Sequence, residues 1–283
     1  MNECVLLVNR QILCQADMKQ PTTVKPGTKI RLRDFDPGYT GGIDKQEAVR
    51  QSDEHVQAVA DLSYRLYAEH QRAVLLVLQG IDTSGKDGTI RHVFHGVNPQ
   101  TTQVASFKVP GPEELSHDFL WRIHRAAPSR GNIGVFNRSH YEDVLVVRVH
   151  NLVPAKVWRG RYEQINEFER ILTENGTTIV KALLHISQEE QRKRLLNRLK
   201  DPTKRWKFNR ADLEERKRWP EYEEAYNDAL TRCNTEHAPW HIIPADHKWY
   251  RNLVVSRLLR ETLEKLDPQF PEAETGLEEL LIE

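Results

Sequence analysis

The sequence predicts an α/β fold: a three-layer α/β/α arrangement with a parallel, five-stranded sheet and a helical lid. Three observations carry this. Short apolar runs of buried-strand type alternate with stretches at helical spacing from residue 45 onward. The first of these runs, Ala73-Val74-Leu75-Leu76-Val77-Leu78, leads straight into a glycine-rich turn. A strongly basic segment then interrupts the alternation at about residues 192–218.

Residues 1–45 read as an irregular arm, broken by Pro21, Pro26, Gly27, Pro37, Gly38, Gly41 and Gly42. Met18 opens a stretch that reads like a natural start, so residues 1–17 are expected to be an upstream extension. A domain over 46–270 follows, with residues 271–283 as a tail. Val49, Val56, Val59, Ala60, Leu62, Leu66 and Tyr67 recur near helical spacing and predict a helix over 45–70. After the strand at 73–78, residues 86–97 read as a helix, 103–107 as a weak strand, 113–126 as a helix and 132–136 as a strand. Residues 154–173 form a long helix with Pro154 at its first turn, and 177–186 a strand. Ser187-Gln188-Glu189-Glu190 fits a capping box that starts the next helix. Residues 200–218 break the pattern, 222–232 are helical, 240–244 are a short strand, and 249–266 are the last long helix.

Composition excludes several classes. Hydrophobic residues make up 39% and charged residues 29% of 283, enough for a core in a polar chain. No apolar run approaches the ~20 residues that span a membrane. Cys4, Cys14 and Cys233 form no CxxC pair, which suits a reducing compartment and excludes a disulfide framework or a cysteine zinc site. The start lacks the basic residues and apolar length of an export signal, so a cytoplasmic location is expected. Lysine plus arginine and aspartate plus glutamate both total 41, so the net charge is zero. Yet Arg192, Lys193, Arg194, Arg198, Lys200, Lys204, Arg205, Lys207 and Arg210 face only Asp201 over residues 192–210. Such concentration in a neutral chain points to a local anionic ligand, not to general adhesion to nucleic acid, and no groove-reading motif accompanies it.

The turn after the first strand, Gln79-Gly80-Ile81-Asp82-Thr83-Ser84-Gly85-Lys86-Asp87-Gly88, satisfies G-x-x-x-x-G-K between a strand and a helix. Gly80, Ser84, Gly85 and Gly88 would let backbone N–H groups converge on phosphate oxygens, and Lys86 would reach the transferring phosphoryl group. Asp87 replaces the usual Ser/Thr after the lysine, and Asp82 lies inside the loop. Carboxylates beside phosphate need a metal between them, so Asp82 reads as a magnesium ligand or a group that orients the acceptor phosphate, with Asp87 a second candidate. An Asx-type turn is the alternative for both.

The strand at 132–136 ends at Asn137-Arg138-Ser139-His140-Tyr141-Glu142-Asp143. Strand C-termini line the ligand crevice of open α/β sheets. Arg138 is placed there to neutralise phosphoryl charge. Glu142 reads as a metal ligand, an acceptor-setting group or the reciprocal carboxylate of a Ser139 cap. Asn137, Ser139, Tyr141 and Glu142 are the expected nucleotide-binding residues. Arg194 and Arg198 share one helical face, with Leu195, Leu196 and Leu199 expected to pack inward on the other. Pro202 ends the helix, and Lys204, Arg205 and Lys207 interleave with Trp206 and Phe208. In a phosphotransferase such an insertion reads as a lid that excludes water. Together with Lys86, Arg91, Arg122, Arg125 and Arg138, its cations suit a long polyanion better than a nucleotide triphosphate. No HExxH or HxH cluster occurs among the 12 histidines, and His117, His124 and His140 read as hydrogen-bonding or surface residues.

The motifs GIDTSGKDG, ELSHDFLWR, FNRSHYEDVLVVRV and DPTKRWKF together resemble the polyphosphate kinase 2 family over most of residues 45–270. The resemblance implies a P-loop kinase-like core with a helical lid, dependence on Mg2+ with Mn2+ as a substitute, a homotetramer, and phosphoryl transfer between inorganic polyphosphate and adenine nucleotides, guanine nucleotides remaining open. Asn137 and Glu142 resemble the class III pattern, whose members act on both AMP and ADP. By the resemblance, Asp82, Lys86, Asn137, Arg138 and Glu142 fall on active-site positions and Lys204, Arg205 and Lys207 on the lid. Two other functions compete: an ATP-dependent nucleotide kinase, and a non-catalytic polyphosphate-binding module.

Overall fold

Alternation along one strand decides where the layers lie. In β2 (Ala73–Gln79), Leu75 and Val77 enter one apolar cluster, while Val74, Leu76 and Leu78 enter the other. A strand buried on both faces must be covered by helices on both, and it is. The computed structural model describes residues 22–277. The expectation for residues 1–17, together with Cys4, Cys14 and residues 278–283 of the tail, lies outside the described residues.

The elements in chain order are β1 (Thr22–Thr23), α1 (Lys45–Glu69), β2, α2 (Lys86–Val93), β3 (Thr102–Ser106), α3 (Pro112–Leu115), α4 (Trp121–Arg125), β4 (Ile133–Asn137), α5 (Val146–Val149), α6 (Ala155–Glu174), β5 (Thr177–His185), α7 (Gln188–Lys200), α8 (Ala211–Lys217), α9 (Trp219–Arg232), β6 (Trp240–Pro244) and α10 (Lys248–Leu266). The sheet order is β1-β6-β5-β2-β4-β3. The five predicted strands run parallel, with Leu78 opposite Asn137 on one side and Ala182 on the other. β1 adds a sixth, antiparallel edge strand, with Thr23 opposite His241. The arm is thus irregular but not loose: Val24, Ile30 and Leu32 are buried, and the Leu32 N–H donates to Asn227 Oδ1 at 2.7 Å.

Helices α1, α2 and α10 cover one face and α6 and α9 the other. The connections from neighbouring strands β2 and β4 therefore leave on opposite faces, which opens a crevice at their C-terminal ends. Asp44 starts α1 by accepting from the Gln46 N–H at 2.7 Å, and Ala48, Val56, Val59 and Leu66 form its buried stripe, whereas Val49 and Tyr67 stay exposed.

Four local expectations change. The helix expected over 113–126 is split into α3 and α4, because Asp118 Oδ1 accepts from the Leu120 N–H at 2.9 Å in a local turn. The helix from Lys86 stops at Val93. Half of the Ser187 box forms: Ser187 Oγ accepts from the Glu190 N–H at 3.1 Å, but the Ser187 N–H donates to Asp246 Oδ1 at 2.8 Å. On α7, Leu195 is buried while Leu196 and Leu199 are exposed, so Arg194 occupies part of the face expected to be apolar. Among the described residues no helix is long and apolar enough to cross a membrane.

Candidate active site

The crevice holds a cavity of about 1520 Å³ above β2 and β4. Its floor is the loop Gly80–Lys86. Gly80 at φ 146° and Gly85 at φ 106° bend the chain where an L side chain would be strained. Thr83 and Arg138 accept positive φ, at 68° and 62°, without being glycine. Non-glycine residues held in this way mark sites whose surroundings fix the backbone. Gly80 has a second reason: a Cβ there would lie 2.7 Å from Leu184 O.

Lys86 opens α2 and is buried, its Nζ donating to Gly80 O at 2.6 Å. Burial pushes its pKa down, against the pull of Asp82. Two hydrogen bonds span the crevice from β2 to β4. Arg138 Nη2 donates to Asp82 Oδ1 at 2.6 Å, and Asn137 Nδ2 donates to Asp87 Oδ1 at 2.8 Å. Each pair leaves the second carboxylate oxygen of Asp82 and Asp87 unassigned to a side-chain partner among the described residues. Burial works against the Arg138 charge, but Glu142 and Asp82 outweigh it and raise its pKa.

Of the expected phosphate ligands, Gly85, Lys86, Asp87, Gly88, Arg91, Arg138, Arg194, Arg198, Lys204 and Lys207 line the cavity, as does Asp82, the expected metal ligand, whereas Gly80 does not. Ser84 is fully buried beneath the loop. Arg122 is turned away from it: Nη1 donates to Lys108 O at 2.9 Å and lies 3.6 Å from Glu114. Arg205 is not on the wall; its Nε donates to Leu199 O at 2.8 Å. Arg194 does line the cavity but is consumed by structure. Its Nε donates to Glu190 at 2.8 Å, and Nη1 to Thr83 O and Ser84 O at 3.0 and 2.8 Å, while Nη2 donates to Ala245 O and Asp246 O. It holds the loop against the β6 end.

The nucleotide candidates divide. Asn137 is on the wall. Ser139 is buried, accepting from Gln79 Nε2 at 3.0 Å and from the Tyr141 N–H at 3.2 Å. Tyr141 is in the core, where its hydroxyl donates to Glu169 at 2.9 Å and accepts from Lys181 at 2.9 Å. Neither side chain reaches the cavity, because the 3-10 turn His140–Asp143 carries both inward. Glu142 is partly buried behind Arg138; burial raises its pKa, which Arg138 and Lys86 offset in part. Its carboxylate makes no reciprocal bond to Ser139 among the described residues, so the Ser139 cap is one-sided.

The basic segment is less isolated than its sequence implies. Arg192, Lys193 and Arg194 lie within 4.0 Å of Glu189 or Glu190, Arg198 lies 3.2 Å from Asp212, and Lys204 pairs with Asp201. Glu189, Glu190 and Asp212 stand just outside the window in which Asp201 was the single acid. Three wall cations were missed by sequence reading: Lys108 after β3, and Lys248 and Arg251 on the first turn of α10. No motif flags them, since they come from elements 140 residues apart that only the sheet order brings together. In total eleven lysines and arginines line the cavity against four aspartates.

The donor set suits a hard divalent cation. Mg2+ is generally held by one or two carboxylates with substrate phosphates and water, and Asp82 and Asp87 supply two, one inside the loop and one just after it. Among the described residues no group of three or more His, Cys, Asp or Glu could hold a metal on protein ligands alone.

The family model described as "Polyphosphate kinase 2 (PPK2)" matches residues 42–271. An "AMP/ADP-polyphosphate phosphotransferase" of Meiothermus ruber is 52% identical over 262 residues, covering 92% of this chain and 98% of that protein. An "ADP-polyphosphate phosphotransferase" of Rhodopseudomonas palustris is 46% identical, covering 88% and 91%. The crystal structure of polyphosphate kinase 2 from Arthrobacter aurescens TC1 superposes with a TM-score of 0.88 at 42% identity over 94% of both chains.

Proposed function

The chain belongs to the polyphosphate kinase 2 family, and from that premise we propose that it moves the terminal phosphoryl group of inorganic polyphosphate to AMP and ADP, giving ADP and ATP, with Mg2+. The observation that carries this reading is the charge of the cavity wall, eleven cations against four aspartates. A nucleotide triphosphate needs fewer. A linear polymer with about one charge per phosphate occupies such a wall along its length.

A non-bridging phosphate oxygen of the nucleotide attacks the terminal phosphorus of the polymer in line. The bond from that phosphorus to the bridging oxygen breaks, and the polymer leaves one unit shorter with the electron pair. The attacking oxygen is already ionised at neutral pH, so no general base is required. Lys86 leaves its carbonyl partner Gly80 O for the phosphoryl oxygens, and Arg138 holds the charge from the β4 side. Asp82 and Asp87 would hold Mg2+, which supplies charge neutralisation between phosphate oxygens when bound. The segment at about residues 192–218 acts as the lid, contributing Lys204 and Lys207 and excluding water. The resemblance adds a homotetramer, and the cysteine usage a cytoplasmic location, as parts of the same reading.

The test is a turnover assay with polyphosphate, Mg2+ and AMP or ADP, and with no ATP added. ADP and ATP appear under this reading. An ATP-dependent kinase yields product only when ATP is supplied, and a binding module yields none.

A further inference from the structure

The helix α8 is seven residues long and cannot hold its own place, so its side chains must dock it. Asp212 lies 3.2 Å from Arg198 of α7. Glu215 accepts from the Tyr222 hydroxyl of α9 at 2.5 Å and lies 3.0 Å from His150 Nε2. Arg216 Nη1 donates to Gln188 O at 2.8 Å and to Gln191 Oε1 at 2.7 Å. The last of these contacts continues inward. Gln191 is 1% exposed, and its Nε2 donates to Asp82 O at 3.1 Å. One buried amide thus joins a helix of the basic insertion to the loop after β2, with its acceptor and its donor both engaged.

The carbonyl that Gln191 holds sits at a strained point. Asp82 O belongs to the planar peptide joining Asp82 to Thr83, and Thr83 stands at φ 68°, where a β-branched residue must be held by its surroundings. The direction of that carbonyl fixes the peptide plane and with it the Asp82 backbone, from which the carboxylate reaches Arg138 at 2.6 Å. Arg194, three residues after Gln191, holds the next carbonyl, Thr83 O, at 3.0 Å. The two differ in what stands behind them. Arg194 ties the loop to Ala245 O and Asp246 O beyond β6, a fixed part of the frame. Gln191 ties it to α8, which belongs to the insertion. Packing alone does not call for an amide here, since Met fills a similar volume with no polar group to satisfy.

We propose that Gln191 is a positioning residue for the phosphoryl transfer: it aims Asp82 from behind the loop and, through Arg216, makes that aim depend on α8 being docked. This deepens the reading above and rests on it for the reaction concerned. With α8 in place, Arg216 fixes the amide, the amide fixes Asp82 O, and the Asp82 carboxylate meets Arg138 across the crevice. With α8 released, the amide is free to turn, and the two walls lose the alignment that in-line transfer needs. Gln191 does not line the cavity and acts through Asp82. The rate therefore falls when the relay breaks, while the cations of the wall, and the binding they provide, stay as they were.

The test compares Gln191→Glu, Gln191→Met, Arg216→Met and the double variant Q191M/R216M. Q191E keeps the shape and the Arg216 contact, now as an ion pair, but no longer donates to Asp82 O. Its kcat falls about ten-fold or more, KM for polyphosphate and for ADP stays within about two-fold, and Tm stays near that of wild type. A role in folding alone predicts a normal kcat from a variant of normal Tm. Q191M and R216M each lower kcat to a similar degree, and the double variant loses no more than either, because both break one relay. A readout without turnover follows α8 itself: trypsin cleavage after Lys217 speeds up about five-fold or more in R216M and in Q191M, and keeps the wild-type rate in Q191E. The proposal is overturned if Q191E keeps kcat within about two-fold of wild type, if its loss lies in KM, or if the losses of Q191M and R216M multiply in the double variant. Should Q191M fail to fold, a normal kcat in either Q191E or R216M overturns it alone. If the wild type forms no product from polyphosphate and ADP, the proposed activity falls, and the tie between α8 and the loop is decided by trypsin, a wild-type cleavage rate in Q191M being the result that ends it. Turnover in wild type with an unaltered Q191E leaves the activity standing and removes the relay.

Discussion

Arg138 reaches back across the crevice to Asp82, donating from Nη2 at 2.6 Å, and does so from a left-handed backbone at φ 62°. The bond ties the end of β4 to the loop after β2, so the two walls that must grip a phosphoryl group are set by one ion pair. Both side chains keep a third of their surface exposed toward the cavity, at 37% and 29%. The pair is thus available to substrate as well as structural.

Lys86→Met should remove catalysis and spare the fold. The ammonium is buried and disfavoured where it stands, so its loss leaves Tm at or above the wild-type value. Turnover should fall about 10²–10³-fold or more, the scale of one preorganised donor at a developing charge. Circular dichroism and Tm beside kcat check this; a variant with near-normal kcat would remove Lys86 from the chemistry.

Asn137→Asp should make the protein dependent on metal for stability. It sets a carboxylate against Asp87 in place of an amide that donates at 2.8 Å. Two such groups at that distance cannot both ionise without a cation between them. Without Mg2+ the variant should melt below wild type, and adding Mg2+ should raise its Tm more than that of wild type. Equal responses to Mg2+ would show that Asp87 does not face the metal.

Arg194→Met should act on stability first. The side chain is 7% exposed, and its removal takes from Glu190 its 2.8 Å partner and from four carbonyl groups a donor. Breaking a buried pair in this way costs about 3–5 kcal/mol. Denaturant unfolding measures it. A loss under about 1 kcal/mol, with a selective rise in KM for polyphosphate, would return Arg194 to the role its position in the basic segment suggested.

What the sequence disclosed and what it hid divide along one line. Every core strand and the loop Gly80–Lys86 follow local rules of periodicity and glycine placement and stand where those rules put them, while the cation-rich segment brings Arg194, Arg198, Lys200, Lys204 and Lys207 to the cavity wall and leaves Arg205 off it. Tyr141 and Ser139 did not, because a four-residue 3-10 turn after Arg138 rotates them into the core; the Ser139–Glu142 spacing signals a cap but not which side chains the turn carries inward. Leu196 and Leu199 were misplaced because the buried Arg194 takes a place on the inward face, paired with Glu190, which lies outside the basic window. Lys248 and Arg251 read as ordinary charges on a helix until β6 brings the start of α10 beside the loop.

Acid should unfold the protein partly through buried neutral histidines. Burial, with Lys181 adding, lowers the His241 pKa from 6.5 to about 4. Between those values the unfolded chain binds a proton that the native state refuses, so stability is full above pH 6.5 and is lost as pH falls toward 4, by at most about 3 kcal/mol. His140 and His185 are shifted the same way, by burial first. Asp143, raised to about 6 by burial, opposes them, since it favours the native state as it protonates. His241→Asn should flatten the pH dependence of unfolding between 6.5 and 4. An unaltered slope would place the proton elsewhere.

The most direct measurement follows the phosphorus. Polyphosphate labelled with 32P is incubated with unlabelled ADP, Mg2+ and the purified chain, and the ATP formed is separated and degraded stepwise. Direct transfer puts the label in the γ-phosphate alone, at the specific activity of the polymer, and Lys86→Met abolishes it. Unlabelled ATP, or no ATP at all from an intact polymer, would contradict transfer from polyphosphate to nucleotide at this site.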